Sequence, residues 1–259
     1  MDTARRIMIA GLRAGRRIAP MTALLELDVT DVRALLRAPD RKPLSITAYL
    51  VACLGRTVAQ NPEVQGYRDW RGRIVVHEFV DVTVLVEVPT ADRPIAFPRV
   101  LRDAQSRSVA DLTAELEAAK RESFAGAPGR LLHRWGHVVA AVPGASWLMY
   151  VVMARSVRIR QSIGTVAVTN VGMFGGGGGL AMSPPTLMSL EMVVGGISRR
   201  PRVVGDRIEP RDVIDLTVTI DHVVVDGAPA ARFIADLREL VESAALLTSG
   251  TAGVSRESS

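Results

Sequence analysis

The sequence predicts an α/β sandwich built on a substantial mixed β-sheet, and three observations carry that prediction. Segments of helical and of strand periodicity are interleaved along the chain. β-Branched runs such as "VDVTVLVEV" and "VIDLTVTID" are long enough to be sheet strands. No repeat period is visible, which argues against solenoids and propellers.

Taken in order, residues 5–17 form a basic amphipathic helix or arm. "MTALLELDVTDVRALL" is a strand with Leu25, Leu27 and Val29 alternating, followed by a helix for which Thr30 or Asp31 is a natural N-cap. "LSITAYLVACLGRTVAQNPEV" is a strongly periodic helix, with Ser45 or Thr47 at its start and Asn61-Pro62 at its end. "GYRDWRGRIVVHEFVDVTVLVEVPT" predicts a strand pair with a turn near Arg71-Gly72, and then a long strand. "SVADLTAELEAAKRES" is a helix with Glu and Lys on its exposed face. After a Gly/Pro break at 126–129, the span from Val138 to Ala154 is apolar but interrupted by Pro143-Gly144. A packed or interface helix is expected there rather than a membrane span. "GTVAVTNVGMFGGGGG" is a strand running into a flexible glycine loop. Two further strands and the amphipathic helix "AARFIADLRELVESAALL" complete the pattern.

With 48% hydrophobic and 23% charged residues among 259, the chain is long and apolar enough to bury a large core. The net charge of +5 and a pI near 10.1 favour anionic partners. The arginines are dispersed, however, and only 4% of residues are aromatic, so nucleic-acid binding is not expected. Cys53 stands alone, which excludes an internal disulfide, and its helical setting predicts a small buried residue. The N-terminus has no secretory pattern, so a cytoplasmic location is expected.

Four stretches raise the question of chemistry. In "TIDHVVVDGAPAARF", His222 precedes Asp226 by four residues, with Gly227 next. An imidazole there suits proton abstraction near neutral pH, with the carboxylate orienting the loop. The same spacing fits a strand end, a helix cap and a turn glycine equally well. Thr169 and Asn170 leave an apolar strand, either as oxyanion donors or as caps of the strand end. His133 and His137 lie four apart, but no third ligand stands nearby and Gly136 weakens the helix, so no metal site is expected. His77 reads as an alternating strand residue. The glycine run lacks the Lys-Ser/Thr ending of a phosphate loop and reads as flexible surface.

Taken together, "RRIMIAGLRAGRR", "LELDVTDV", "LSITAYLVACLGRTVAQNPEVQG", "FPRVLRDAQSRSVADL", "GTVAVTNVGMFGG", "VVGGISRRPRVV" and "LTVTIDHVVVDGAPAARFIADLRELVE" occur in a telling order. They resemble the catalytic domain of the dihydrolipoamide acyltransferases of 2-oxoacid dehydrogenase complexes, relatives of chloramphenicol acetyltransferase. The resemblance covers nearly the whole chain. It implies a two-layer sandwich with a mixed sheet, and an acyltransferase moving an acyl group between coenzyme A and a thiol. It implies His222 as general base, Asp226 and Gly227 shaping its loop, and Thr169, with Asn170 beside it, as the hydroxyl that meets the oxyanion. It also implies a homotrimer whose active sites lie between subunits, with coenzyme A as substrate, no metal, and dihydrolipoamide as the acceptor.

Departures from the family pattern are equally visible. Val223 stands where the family usually has Arg. The segment 124–161 is longer and more apolar than expected, an insertion within a single catalytic domain spanning 1–246. A polar tail follows at 247–259. With no lipoyl or subunit-binding domain, any lipoyl group would be on a separate carrier protein. Another acceptor (an amine or hydroxyl), or a non-catalytic trimeric scaffold that keeps the fold, are the alternatives. Membrane contact is not expected.

Overall fold

In the computed structural model, which describes residues 3–39, 42–88, 95–121, 144–172, 177–184 and 186–248, the element order is as follows. Helix α1 (Thr3–Gly15) leads into β1 (Pro20–Asp28), α2 (Thr30–Leu36) and α3 (Ile46–Gln60). A small hairpin, β2 (Tyr67–Arg68) and β3 (Ile74–Val75), precedes β4 (Val82–Val88), β5 (Ile95–Leu101) and α4 (Val109–Arg121). Next come α5 (Ala145–Arg155), α6 (Val157–Ile163) and β6 (Val166–Asn170). The last elements are β7 (Leu190–Val204), β8 (Arg207–Asp221), α7 (Gly227–Glu242) and the short α8 (Ala245–Thr248).

Six strands form one mixed sheet in the order β1-β8-β7-β6-β4-β5, and β2 pairs with β3 apart from it. Strands β4, β6 and β7 are parallel, while the remaining pairs are antiparallel. The alternation seen in the sequence decides which face is covered. Leu25 and Leu27 of β1, Leu216 and Val218 of β8 and Met192 and Val194 of β7 point into one apolar core with α3 and α7. Tyr49 of α3 donates to the Val241 carbonyl at 2.8 Å, tying these two helices together. Burial pushes the Cys53 thiol up to about 12, so this residue behaves as a small apolar side chain.

Local signals are mostly honoured. The Ser45 hydroxyl accepts from the Ala48 N–H at the start of α3. At α2 the expected cap differs: the helix begins at Thr30 itself, and the Asp28 carboxylate accepts from the Thr30 N–H at 3.0 Å. The apolar span near 145 forms α5, which packs on α1 with Gly11 tight against the Tyr150 ring. Among the described residues, no helix is long and apolar enough to cross a membrane.

Candidate active site

Strand β8 ends at Asp221, and the chain turns directly into α7 through residues 222–226. Backbone pairing holds this turn from both sides: the Asp221 N–H donates to Ser189 and the His222 N–H to Ala19, each at 2.8 Å. The Asp221 carboxylate adds a second clamp, accepting from Ala19 N at 3.0 Å and from Val223 N at 3.1 Å. Its own carbonyl accepts from Val224 and Val225. His222 therefore rides on a main chain fixed to the α1–β1 junction.

The His222 ring is exposed, with Nδ1 3.0 Å from the Val225 carbonyl. A carbonyl can only accept, so a neutral imidazole in this bond carries its proton on Nδ1 and its lone pair on Nε2. Asp226 occupies the N-cap position of α7 with extended backbone, but its exposed carboxylate makes no capping bond. Among the described residues the side-chain hydrogen bonds that clamp this loop come from Asp221, which the sequence alone does not single out. Gly227 begins α7 with open space where a side chain would be, so sterics do not demand glycine there.

Thr169 sits half-buried near the end of β6, and Asn170 closes the strand. Asn170 donates from Nδ2 to the Thr47 hydroxyl at 2.7 Å, and its Oδ1 accepts from Gly172 at 3.1 Å. These two bonds pin the end of the strand. Register separates Thr169 from His222: Thr169 faces Val193 of β7, which faces Thr217 of β8, five residues before His222. Two strand spacings and five residues of rise amount to roughly 20 Å. Within one chain these two side chains do not meet at a common reacting atom.

The sheet face opposite the core carries buried charge. Asp215 accepts from the Gly179 N–H at 2.6 Å and from Arg200 Nη2 at 2.5 Å. Glu191 hydrogen-bonds Ser183 and Thr186, and its burial raises its pKa. These carboxylates hold Gly179, Ser183 and Thr186 against the sheet. The described end of the glycine run lies on the surface and is anchored at Gly179: a side chain at Gly195 would lie 2.2 Å from the Gly179 carbonyl. Gly195 and Gly196 form the register shift in β7 that admits this contact.

A cleft of about 490 Å³ opens beside the His222 turn, lined by Asp221 and Val223 and by parts of α1, α5 and the β2–β3 hairpin. The described part of the 124–161 segment therefore forms one of its walls. His77 is not a strand residue: it lies between β3 and β4, buried, stacked on Phe79 and 3.3 Å from the Tyr67 hydroxyl. His133 and His137 lie outside the described residues.

The comparisons with known proteins agree with this architecture. Residues 155–249 match the family model described as 2-oxoacid dehydrogenases acyltransferase (catalytic domain). The lipoamide acyltransferase component of the branched-chain alpha-keto acid dehydrogenase complex of Pseudomonas aeruginosa is 28% identical over 244 residues. That alignment takes in 90% of this chain and 49% of the relative. The chain thus spans about half the length of the curated relatives it matches over most of its own. A probable dihydrolipoamide acetyltransferase from Listeria monocytogenes superposes with a TM-score of 0.65 at 16% identity, covering 94% of this chain and 93% of that one. A chloramphenicol acetyltransferase superposes at 0.52 with 12% identity, over 93% and 95% of the two chains. Residues 155–249 are thus similar to the catalytic domain of the 2-oxoacid dehydrogenase acyltransferases, and the chain takes the chloramphenicol acetyltransferase-like fold.

Proposed function

We propose that this chain is an acyltransferase that moves an acyl group between coenzyme A and a thiol acceptor, dihydrolipoamide on a separate carrier protein, with His222 as general base. The observation that carries the reading is the bond from His222 to the Val225 carbonyl, which leaves Nε2 free on an exposed ring. Nε2 takes the thiol proton, and the thiolate attacks the thioester carbonyl to give a tetrahedral oxyanion. Collapse expels the second thiolate, and the His222 imidazolium returns the proton to it.

Thr169 supplies the hydroxyl that meets the oxyanion. The separation of roughly 20 Å between Thr169 and His222 within one chain, from strand spacing and rise, supports a homotrimer in which a neighbouring copy brings Thr169 to the base. Asn170 supports Thr169 by pinning the strand end, and Asp226 and Gly227 start the helix that follows the base. In this reading residues 1–246 are one catalytic domain, it needs no metal, and it works in the cytoplasm.

The test is direct. The protein is incubated with a panel of acyl-CoAs and free dihydrolipoamide, thiol release is followed, and the assay is repeated with His222→Ala. Turnover that collapses in the variant supports the mechanism, and turnover unchanged in the variant overturns it. Absence of turnover with every acyl donor and acceptor assigns the chain to a scaffold.

A further inference from the structure

The cleft beside the His222 turn is basic. Four guanidinium groups line it: Arg17 after α1, Arg68 and Arg71 on the β2–β3 hairpin, and Arg155 at the end of α5. None of the four forms an ion pair with a carboxylate among the described residues. Arg17 and Arg155 lie over the rings of Trp147 and Trp70, at 5.0 and 5.8 Å from the ring centroids.

The two carboxylates in the lining are already committed. Asp69 accepts from the Arg71 and Arg73 N–H groups at 2.8 and 2.9 Å and pairs with the Arg73 side chain at 2.7 Å. Those bonds also set the hairpin that carries Arg71. Asp221 is taken up by the N–H groups of Ala19 and Val223.

A fifth guanidinium stands behind the wall. Arg160 of α6 is 1% exposed, donates to the Leu187 carbonyl at 2.6 Å and lies 4.6 Å from the centroid of the Tyr67 ring. Leu187 and Tyr67 both line the cleft. Arg160 Nε and Nη2 have no hydrogen-bond partner among the described residues. An uncompensated charge in so dry a place projects its field into the adjoining space, where an anion would answer it.

We infer that this cleft binds the free carboxylate of an acyl group, so that the preferred donor is the thioester of a short dicarboxylic acid. The inference rests on His222 as the base and adds the substrate class. Location selects the acyl end of the donor: Asp221 and Val223, the neighbours of His222, form the cleft wall. A carboxylate a few carbons from the reacting carbonyl is kept close to the base by its own short chain, whereas the coenzyme's phosphates are separated from the thioester by a full pantetheine arm. A volume of about 490 Å³ is within the range of small-molecule sites.

The full chain is assayed with succinyl-CoA, glutaryl-CoA and butyryl-CoA, alongside an Arg68→Gln/Arg71→Gln double variant and an Arg207→Ala control on the β7–β8 turn. Expected is a kcat/KM for the carboxylate-bearing donors above that for butyryl-CoA. The double variant should cut that preference about ten-fold or more while keeping butyryl-CoA turnover, and the control should keep both. Equal use of the three donors by the unaltered protein overturns the inference and leaves the base assignment standing. Equal loss with all three donors in the double variant overturns it too, since the arginines would then hold the coenzyme.

Calorimetric titration with glutarate and with its uncharged diamide, glutaramide, reads the cleft without turnover. Glutarate binding that is lost in the double variant supports the inference, and equal affinity for the acid and the diamide overturns it. Failure of the base assignment shows separately, as turnover that survives His222→Ala.

Discussion

His222 Nδ1 sits 3.0 Å from the carbonyl oxygen of Val225, three residues further along the same turn. That bond selects one tautomer and orients the ring, so the base arrives with its lone pair on Nε2. In nitrogen-resolved NMR of the folded protein, the neutral His222 ring is expected to carry its proton on Nδ1. His222→Ala should lower kcat about 10²–10⁴-fold, the range for loss of a positioned general base, with little change in thermal stability.

Asp221 holds this arrangement from below. Removing its carboxylate releases the N–H groups of Ala19 and Val223, and because both residues are exposed each lost bond costs only its net value of about 0.5–1.5 kcal/mol. Asp221→Ala is therefore expected to lower both the urea midpoint and kcat. Asp221→Asn keeps an acceptor oxygen and should retain most of the stability. Equal behaviour of the two variants would contradict the clamp.

How much of this was legible in the sequence depends on how local the cause is. The Leu25–Leu27 alternation, the Ser45 cap and the strand ending at Asp221 rest on neighbours within a few residues, and they are readable. The role of Asp221 is not, because the N–H it captures belongs to Ala19, 202 positions away. The anchoring of Gly179 at the end of the glycine run is not readable for the same reason: its partner, Asp215, lies 36 positions further on. One signal was present. Asp215 interrupts the β-branched run "VIDLTVTID", and a carboxylate inside such a run needs a partner to be buried. His77 was assigned to a strand because its β-branched neighbours suggest one, but stacking on Phe79 and contact with Tyr67 decide its place.

Arg200 and Asp215 give that partnership a measurable value. Asp215 is fully buried, and its Oδ1 has no partner among the described residues, so the 2.5 Å bond to Arg200 carries most of its compensation. Removing one member of a buried pair typically costs about 3–5 kcal/mol, and Arg200, being partly exposed, places the expectation at the lower end. Arg200→Met should lower the urea midpoint accordingly. Arg200→Met with Asp215→Leu should recover part of the loss, as a double-mutant cycle would register.

The packing of the glycine segment predicts a steric cost in β7. A methyl group at Gly195 would sit 2.2 Å from the Gly179 carbonyl and 2.9 Å from that of Asp215, both backbone atoms that cannot rotate away. Gly195→Ala is expected to destabilise by about 1–3 kcal/mol, as overpacking does. Hydrogen exchange should rise at Gly179 and Gly196, whose N–H groups bond across this contact.

His77 predicts a pH dependence of stability. Burial, with the Arg160 guanidinium nearby, holds its imidazole pKa below 6.5. The unfolded chain thus takes up a proton near pH 6.5 that the folded chain refuses until lower pH. The stability this confers is intact above about 6.5 and is lost as pH falls through the lower folded value. Urea midpoints for the protein and for His77→Phe, taken on either side of that window, isolate the effect. The unaltered protein should lose more stability on acidification than the variant does, whatever their absolute values. Parallel slopes would show that His77 is protonated alike in the folded and unfolded chains.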